Sequence, residues 1–277
     1  MTKLYDCHLH SNFSGDSKAA QEEQIESAIE KGLSGITFTD HMDMDYPIQN
    51  TDEFMELDLP KYSEKILSLR KQYENNPDFH VYFGIELGLQ PHLVSAYHDI
   101  LKTYPFDFVI GSTHLIDKMD PYYDEYFDGK TPEEAYNKYF DTIIKNINSF
   151  DEFDSLGHLD YVVRYGKRVY GAEKGALPYE KYAEKIDAIL SYLIKHDKAL
   201  EVNTGAFCRG LDEPNPSYRI IERYQQMGGK LITMGADAHK AEHVGLNFKN
   251  VLAKLKEIGF NSYYIFVERK PIEITID

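Results

Sequence analysis

The residues of this chain that can do chemistry fall in a pattern. Of its 11 histidines, His8 and His10 end one short apolar run, His41 follows a second, and His114, His158 and His239 follow later ones. Carboxylates stand at the same places: Asp16 after the first run, Asp40 in Thr39-Asp40-His41, Glu86 in Gly84-Ile85-Glu86, Asp160 in Gly157-His158-Leu159-Asp160 and Asp237 in Asp237-Ala238-His239. Imidazole and carboxylate without thiolate suit Zn²⁺, Mn²⁺ or Fe²⁺ rather than a structural sulfur site. The pairs His8/His10 and Asp237/His239 strengthen this reading, because side chains two apart along a strand share one side. His80, His92, His98, His196 and His243 fall outside the pattern and are read as ordinary hydrogen-bonded histidines.

Residues so far apart in sequence meet only if the elements that carry them converge. Strand-like runs at 3–8, 35–40, 80–87, 106–112, 153–158, 199–203 and 230–235 alternate with helix-like segments at 21–31, 59–75, 93–103, 132–148, 178–196, 216–227 and 247–258. That alternation predicts a parallel sheet built from βαβ units. Three helices are expected to open on a proline, Pro132, Pro178 and Pro216, since the first helical turn leaves its N–H unpaired anyway. When such strands close into a barrel, their C-terminal ends share the face on which active sites are built. Nearly every ligand-type residue of the set stands at such an end, and the sixth strand offers Asn203 and Thr204. No linker, repeat or low-complexity tract interrupts the series, so residues 1–277 are expected to form one domain. Two last runs, 262–267 and 271–276, read as a strand pair around Glu268-Arg269-Lys270, placed either as a cap on the barrel or at its edge.

Composition narrows the function class. With 30 Lys+Arg against 46 Asp+Glu the formal net charge is −16, which disfavours non-specific binding to nucleic acid or to an anionic membrane. The 42% hydrophobic content supports a substantial core. The first residues carry no apolar signal segment, and no run approaches the roughly 18 apolar residues of a membrane span, so a cytoplasmic protein is expected. Cys7 and Cys208 are too few for a disulfide scaffold or a thiolate zinc site and are read as reduced thiols.

The segments His8-Leu9-His10-Ser11 with Asp16, Thr39-Asp40-His41, Gly84-Ile85-Glu86, Gly111-Ser112-Thr113-His114, Gly157-His158-Leu159-Asp160 and Asp237-Ala238-His239 resemble the motifs of the polymerase-and-histidinol-phosphatase (PHP) superfamily over nearly the whole chain. Length and the Gly-His-Leu-Asp segment are most similar to its stand-alone histidinol-phosphate phosphatases. The resemblance implies a distorted, TIM-like seven-stranded (β/α) barrel with three divalent ions. It puts His8, His10, Glu86 and Asp237 on the first ion, Glu86, His114 and His158 on the second, and Asp16, His41 and His239 on the third. Asp16 departs from the many relatives with a histidine there. Asp40 matches no ligand and is read as a partner orienting an imidazole. The implied activity is hydrolysis of a small phosphate monoester, L-histidinol phosphate, in histidine biosynthesis, through attack of metal-activated hydroxide on phosphorus. Three divalent ions outweigh the three carboxylates, so the site is cationic inside an anionic protein.

Outside the metals, Arg164, Arg168 and Arg209 follow the fifth and sixth strands on the expected active face, where a guanidinium fork would match phosphate. A surface ion pair is the plainer role for each. Asp160 is expected either to protonate the leaving alkoxide or, preferentially, to orient a ligand. The long connections 42–58 and 116–130 are expected to carry specificity. The first holds Asp43, Asp45, Asp52, Glu53, Glu56 and Asp58 without a base, and the second is acidic and rich in Tyr and Phe. Such walls favour a ligand with phosphate at one end and an amine or imidazole at the other. Two further functions use the same residues: phosphodiester cleavage or nucleotide dephosphorylation, and non-catalytic binding of metal or phosphate. Turnover separates the last from an enzyme.

Overall fold

Strands buried on both faces are apolar throughout rather than alternating, and the strands of this chain read that way. The computed structural model describes residues 2–47 and 55–277. Its parallel strands are β1 (Tyr5–Leu9), β2 (Gly35–Phe38), β3 (His41–Met42), β4 (His80–Gly88), β5 (Phe108–Ser112), β6 (Ser155–Leu156), β7 (Ala199–Asn203) and β8 (Ile232–Gly235). They are hydrogen-bonded in the order β1-β2-β4-β5-β6-β7-β8, with β3 continuing the line of β2 against β4. A bridge between Leu9 and Ala238 joins β8 back to β1, with His10 N–H donating to the Ala238 carbonyl at 3.0 Å. The result is a nearly closed (β/α)7 barrel of distorted TIM type, the parallel sheet that the alternation of elements predicts closed in the way the family resemblance implies.

The helices that cover it are α1 (Gln21–Glu30), α2 (Leu59–Tyr73), α3 (Val94–Thr103), α4 (Pro132–Ser149), α5 (Val162–Tyr170), α6 (Tyr179–Lys195), α7 (Tyr218–Gln226) and α8 (Phe248–Ile258). Helix α4 opens on Pro132 behind a capping box in which Thr131 and Glu134 satisfy each other's backbone N–H groups. The other two proline starts are corrected. Pro178 is the residue before α6, and α7 begins two residues beyond Pro216, because Asn215 is held in a backbone bridge to Asn203 and Ser217 N–H is held by Asp160. Helix α5 is absent from the sequence expectation, and it places Arg164 and Arg168 on a helix rather than in a loop. The fifth barrel strand, β6, is shorter than 153–158, although Asp154 N–H and Gly157 N–H carry the ladder one residue further at each end.

The closing strands, β9 (Ser262–Val267) and β10 (Lys270–Thr275), form an antiparallel hairpin. Its turn lies under the N-terminal ends of the barrel strands. Glu268 N–H donates to Asp107 Oδ1 (3.1 Å), Arg269 N–H to the Asp107 carbonyl (2.9 Å), and the Arg269 guanidinium to Asp154, while Phe266 stacks on Phe108. The hairpin thus caps the end opposite the histidines. Among the described residues no helix is long and apolar enough to cross a membrane.

Candidate metal centre

Glu86 stands at the middle of the opposite face because β4 runs two residues past it and is flanked by β3 and β5, with His41 directly beside it in register. Its carboxylate is fully buried and splits its two oxygens between two groups of imidazoles. Oε2 lies 3.3 Å from His8 Nε2 and 3.4 Å from His10 Nε2, and these two nitrogens are 2.9 Å apart. Asp237 Oδ1 joins them at 3.4 Å from His10 and 3.9 Å from His8. Oε1 lies 3.0 Å from His158 Nε2 and 3.4 Å from His114 Nε2, which are 3.3 Å from each other. Further out, Asp16 Oδ2 is 2.9 Å from His239 Nε2 and 3.6 Å from His41 Nε2. Ligands around one tetrahedral Zn²⁺ at about 2.0–2.1 Å stand about 3.3–3.4 Å apart, so these spacings fit a shared cation. Glu86 Oε2 is buried without a hydrogen-bond partner although three imidazoles crowd it, which is what atoms aimed at an ion rather than at one another look like.

Among the described residues three overlapping clusters, His8/His10/Glu86, His41/Glu86/His114 and His10/His41/His239, each bring their ligand atoms within 4.8 Å, giving three candidate metal sites. The grouping differs from the expected one at His10 and His41, whose rings stack at 4.0 Å between centroids and so belong to two clusters each. Burial opposes charge on Glu86 and Asp237, but the imidazoles around both, together with Arg164 and Arg209 beside Asp237, hold their carboxyls well below the usual range.

The Nδ1 atoms of His8, His114 and His239 are each oriented by a partner. His8 Nδ1 meets Glu201 Oε1 at 2.5 Å, His114 Nδ1 meets Asp43 at 2.9 and 3.1 Å, and His239 Nδ1 meets the Asp237 carbonyl at 2.9 Å. Each contact puts the proton on Nδ1 and turns the Nε2 lone pair inward, the usual way an outer partner fixes a ligating imidazole. Glu201 also accepts His158 N–H at 2.6 Å. The signal for it is a lone glutamate inside the buried strand Ala199–Asn203. Asp43 corrects an expectation: it is no wall of the substrate site but is buried between His114 and His41, against the bare backbone of Gly88. Asp40 is corrected as well. It touches no imidazole and instead accepts from the N–H and hydroxyl groups of Ser11 and Ser14, so that it shapes the loop after β1, while Ser14 Oγ reaches His10 Nδ1 at 3.3 Å.

A cavity of about 320 Å³ opens over the histidines. Its walls include Arg164, Arg209, Asp120 and Tyr161 with the rims of the metal cluster. Arg168 is not among them, since its guanidinium is tied on the surface to Asp124 and the Tyr122 carbonyl. Asp160 is not either: it is buried behind the wall, accepting from Asn215 Nδ2 at 2.5 Å and Ser217 N–H at 3.0 Å. A general acid must reach the leaving oxygen, and the partners of Asp160 favour its orienting role. Of the acidic residues in the long connections, Asp45 pairs with His92 and Asp117 with Lys138 outside the cavity. Asp52 and Glu53 lie outside the described residues. Among the described ones, Asp120 alone lines the metal cavity, buried and accepting from the Tyr46 and Tyr161 hydroxyls.

Comparison with known proteins agrees with this geometry. A family model described as "PHP domain" matches residues 6–205. A protein of Clostridium acetobutylicum described as "Probable histidinol-phosphatase" is 32% identical over 96% of this chain and 98% of its own. The "Histidinol-phosphatase" of Lactococcus lactis is 32% identical over 95% of this chain and 94% of its own. A crystal structure of histidinol phosphate phosphatase from Lactococcus lactis, complexed with Zn, L-histidinol and phosphate, superposes with a TM-score of 0.85 at 30% identity, covering 98% of this chain and 99% of that one.

Proposed function

The chain belongs to the PHP domain family, and from that premise we propose that it is a metal-dependent histidinol-phosphatase, hydrolysing L-histidinol phosphate to L-histidinol and inorganic phosphate. The observation that carries the reading is the Glu86 carboxylate dividing its oxygens between two sets of converging imidazoles. In this reading His8, His10, Glu86 and Asp237 hold one ion, Glu86, His114 and His158 a second, and Asp16, His41 and His239 a third. Divalent ions held there would supply positive charge to the phosphoryl oxygens and make hydroxide available as the nucleophile near neutral pH.

The chain's own groups do the rest. Arg209 lines the cavity with its side chain 31% exposed and Nη1 on the Gly205 carbonyl, so the rest of its donor fork is left for a phosphate. Arg164 contributes from the same wall. Asp120, with Tyr46 and Tyr161 on it, is an acceptor for the amine or imidazole of the alcohol, and the aromatic rings enclose that half. A cavity this small suits one small ester rather than a polymer. Residues 1–277 act as one unit, since Asp237 and His239 lie beyond the matched 6–205 yet complete the cluster. A cytoplasmic location agrees with the two free cysteines, Cys7 and Cys208.

The test is phosphate release by one zinc-loaded preparation from histidinol phosphate, a mononucleotide and a sugar phosphate, before and after chelation. A strong preference for the first, lost with the metal and restored by it, is expected. A flat profile would overturn the substrate, and a nucleotide preference would move the enzyme to another branch of the family.

A further inference from the structure

A buried polar chain runs from behind the cavity wall, at Asp160 and Asn215, through Arg164 in the wall to the Asp237 carboxylate beside His10. Asp160 Oδ2 accepts Ser217 N–H at 3.0 Å and its Oδ1 accepts Asn215 Nδ2 at 2.5 Å. Asn215 Oδ1 then accepts Arg164 Nε at 2.6 Å. Arg164 gives Nη2 to Asn203 Oδ1 at 2.8 Å and Nη1 to Asp237 Oδ2 at 2.9 Å, leaving Asp237 Oδ1 turned towards His10. The residues come from four places: Asp160 and Arg164 from either side of the α5 start, Asn203 from the end of β7, Asn215 from the loop before α7, and Asp237 from the end of β8.

We propose that Asp160 and Asn215 are a positioning pair whose polarity aims Arg164, so that one guanidinium both steadies Asp237 and presents its spare N–H groups to the phosphate. The proposal rests on the histidinol-phosphatase reading only for the identity of the ester. An asparagine can turn its amide either way, and the carboxylate of Asp160 decides the matter: the NH₂ must face Asp160, so the carbonyl must face Arg164. Arg164 carries five N–H groups and spends three on Asn215, Asn203 and Asp237. Two remain on a side chain that lines the cavity but cannot swing, being only 1% exposed. Donors fixed in advance lose little entropy when the phosphate arrives.

The arrangement has a reciprocal that tests it. In Asp160→Asn the new amide cannot serve both neighbours, because whichever way it turns, an NH₂ meets either Ser217 N–H or the Asn215 NH₂. In Asn215→Asp two carboxylates face each other across the same contact. The double swap Asp160→Asn with Asn215→Asp reverses the pair and satisfies it. The amide introduced at the first position would accept from Ser217 N–H and donate to the carboxylate introduced at the second, which still accepts from Arg164. Two readouts apply to each zinc-loaded protein: calorimetric affinity for inorganic phosphate, and kcat/KM on histidinol phosphate, with zinc content and thermal unfolding measured alongside.

Each single variant should lose about tenfold to a hundredfold in phosphate affinity and in kcat/KM, and the double swap should recover most of both. Singles that keep wild-type affinity overturn the proposal. So does a double swap that regains wild-type Tm without regaining affinity, since the pair is then structural only, and so does one that fails to fold, since the reversed pair must make the same bonds. If Asp160 delivered a proton, the double swap would bind phosphate but stay inactive. A wild-type protein that binds phosphate but does not turn over histidinol phosphate refutes the substrate reading, and the affinity series still decides the proposal.

Discussion

Replacing Asp43 separates two roles that the sequence alone leaves confounded. Asp43 stands in an acid-rich connection, yet its carboxylate is buried and spans two imidazoles, 2.9 and 3.1 Å from His114 Nδ1 and 3.2 Å from His41 Nδ1. Burial raises its pKa, but the two histidines more than offset this and bring it down to about 2, so an anion faces the rings. A hydrogen bond to a charged group contributes about 1.5–3 kcal/mol, and partners of this kind on ligating histidines typically govern metal affinity by about tenfold to a hundredfold. These agree, since about 1.4 kcal/mol is tenfold. Asp43→Asn should therefore weaken metal retention by about tenfold to a hundredfold at the positions of His114 and His41, and spare the ion of His8, His10 and Asp237, which Asp43 does not touch. Metal content after dialysis against a graded chelator, with kcat/KM on histidinol phosphate and on an aryl phosphate lacking an amine, is the assay. Losses on both substrates should be equal and follow the metal. Gly88→Ala should copy the effect, because a Cβ there would overlap Asp43 Oδ1. Full metal with a loss confined to histidinol phosphate would refute the reasoning and return Asp43 to the substrate wall.

The metal cluster makes a stoichiometric prediction: the protein prepared without chelator should carry more than one divalent ion per chain, and Glu86→Gln should lose more metal than His41→Ala, because Glu86 faces two groups of imidazoles; a ceiling of one ion by elemental analysis would exclude the trinuclear reading. Arg209→Ala should lower kcat/KM by about one to two decades at constant metal content, whereas Arg168→Ala, whose guanidinium is held on the surface, should leave it within about twofold. Asp120→Asn should cost more on histidinol phosphate than on the aryl phosphate, and equal losses would show that it only supports the cavity. Arg269→Ala, at the far end of the barrel, leaves the nearly buried Asp154 without its cation. It should cost about 1–3 kcal/mol, roughly 2–8 °C in Tm, with kcat/KM unchanged when measured below the transition.

Much of this protein is determined by its sequence. Short, largely apolar runs such as Phe108–Ser112 read as strands buried on both faces, and their regular alternation with amphipathic segments predicts a parallel sheet covered by helices, whose closure into a barrel the family resemblance implies. Barrel strands all point one way, so a His or Asp written after a strand has its place on the active face written with it, and nine ligand candidates are legible for that reason. The partners of those ligands are not. Asp43, Glu201 and Asn215 each look like an ordinary loop acid, strand acid or loop amide, and their roles depend on which ring or guanidinium lies close by after closure, which brings together residues far apart in sequence, as with His8 and Glu201, 193 positions apart. The arginines show the same division. Arg164, Arg168 and Arg209 are alike in residue type and in following barrel strands, and only packing separates them: Arg164, at the start of α5, reaches Asn203, Asn215 and Asp237, whereas Arg168, one turn further along the same face, has moved along the axis by about 6 Å and pairs with Asp124 on the surface. Residue type and position in the βα unit determine what chemistry a side chain can do and on which face, because both are local. Which neighbour it meets depends on the distances that long-range closure sets, and these only the tertiary structure decides.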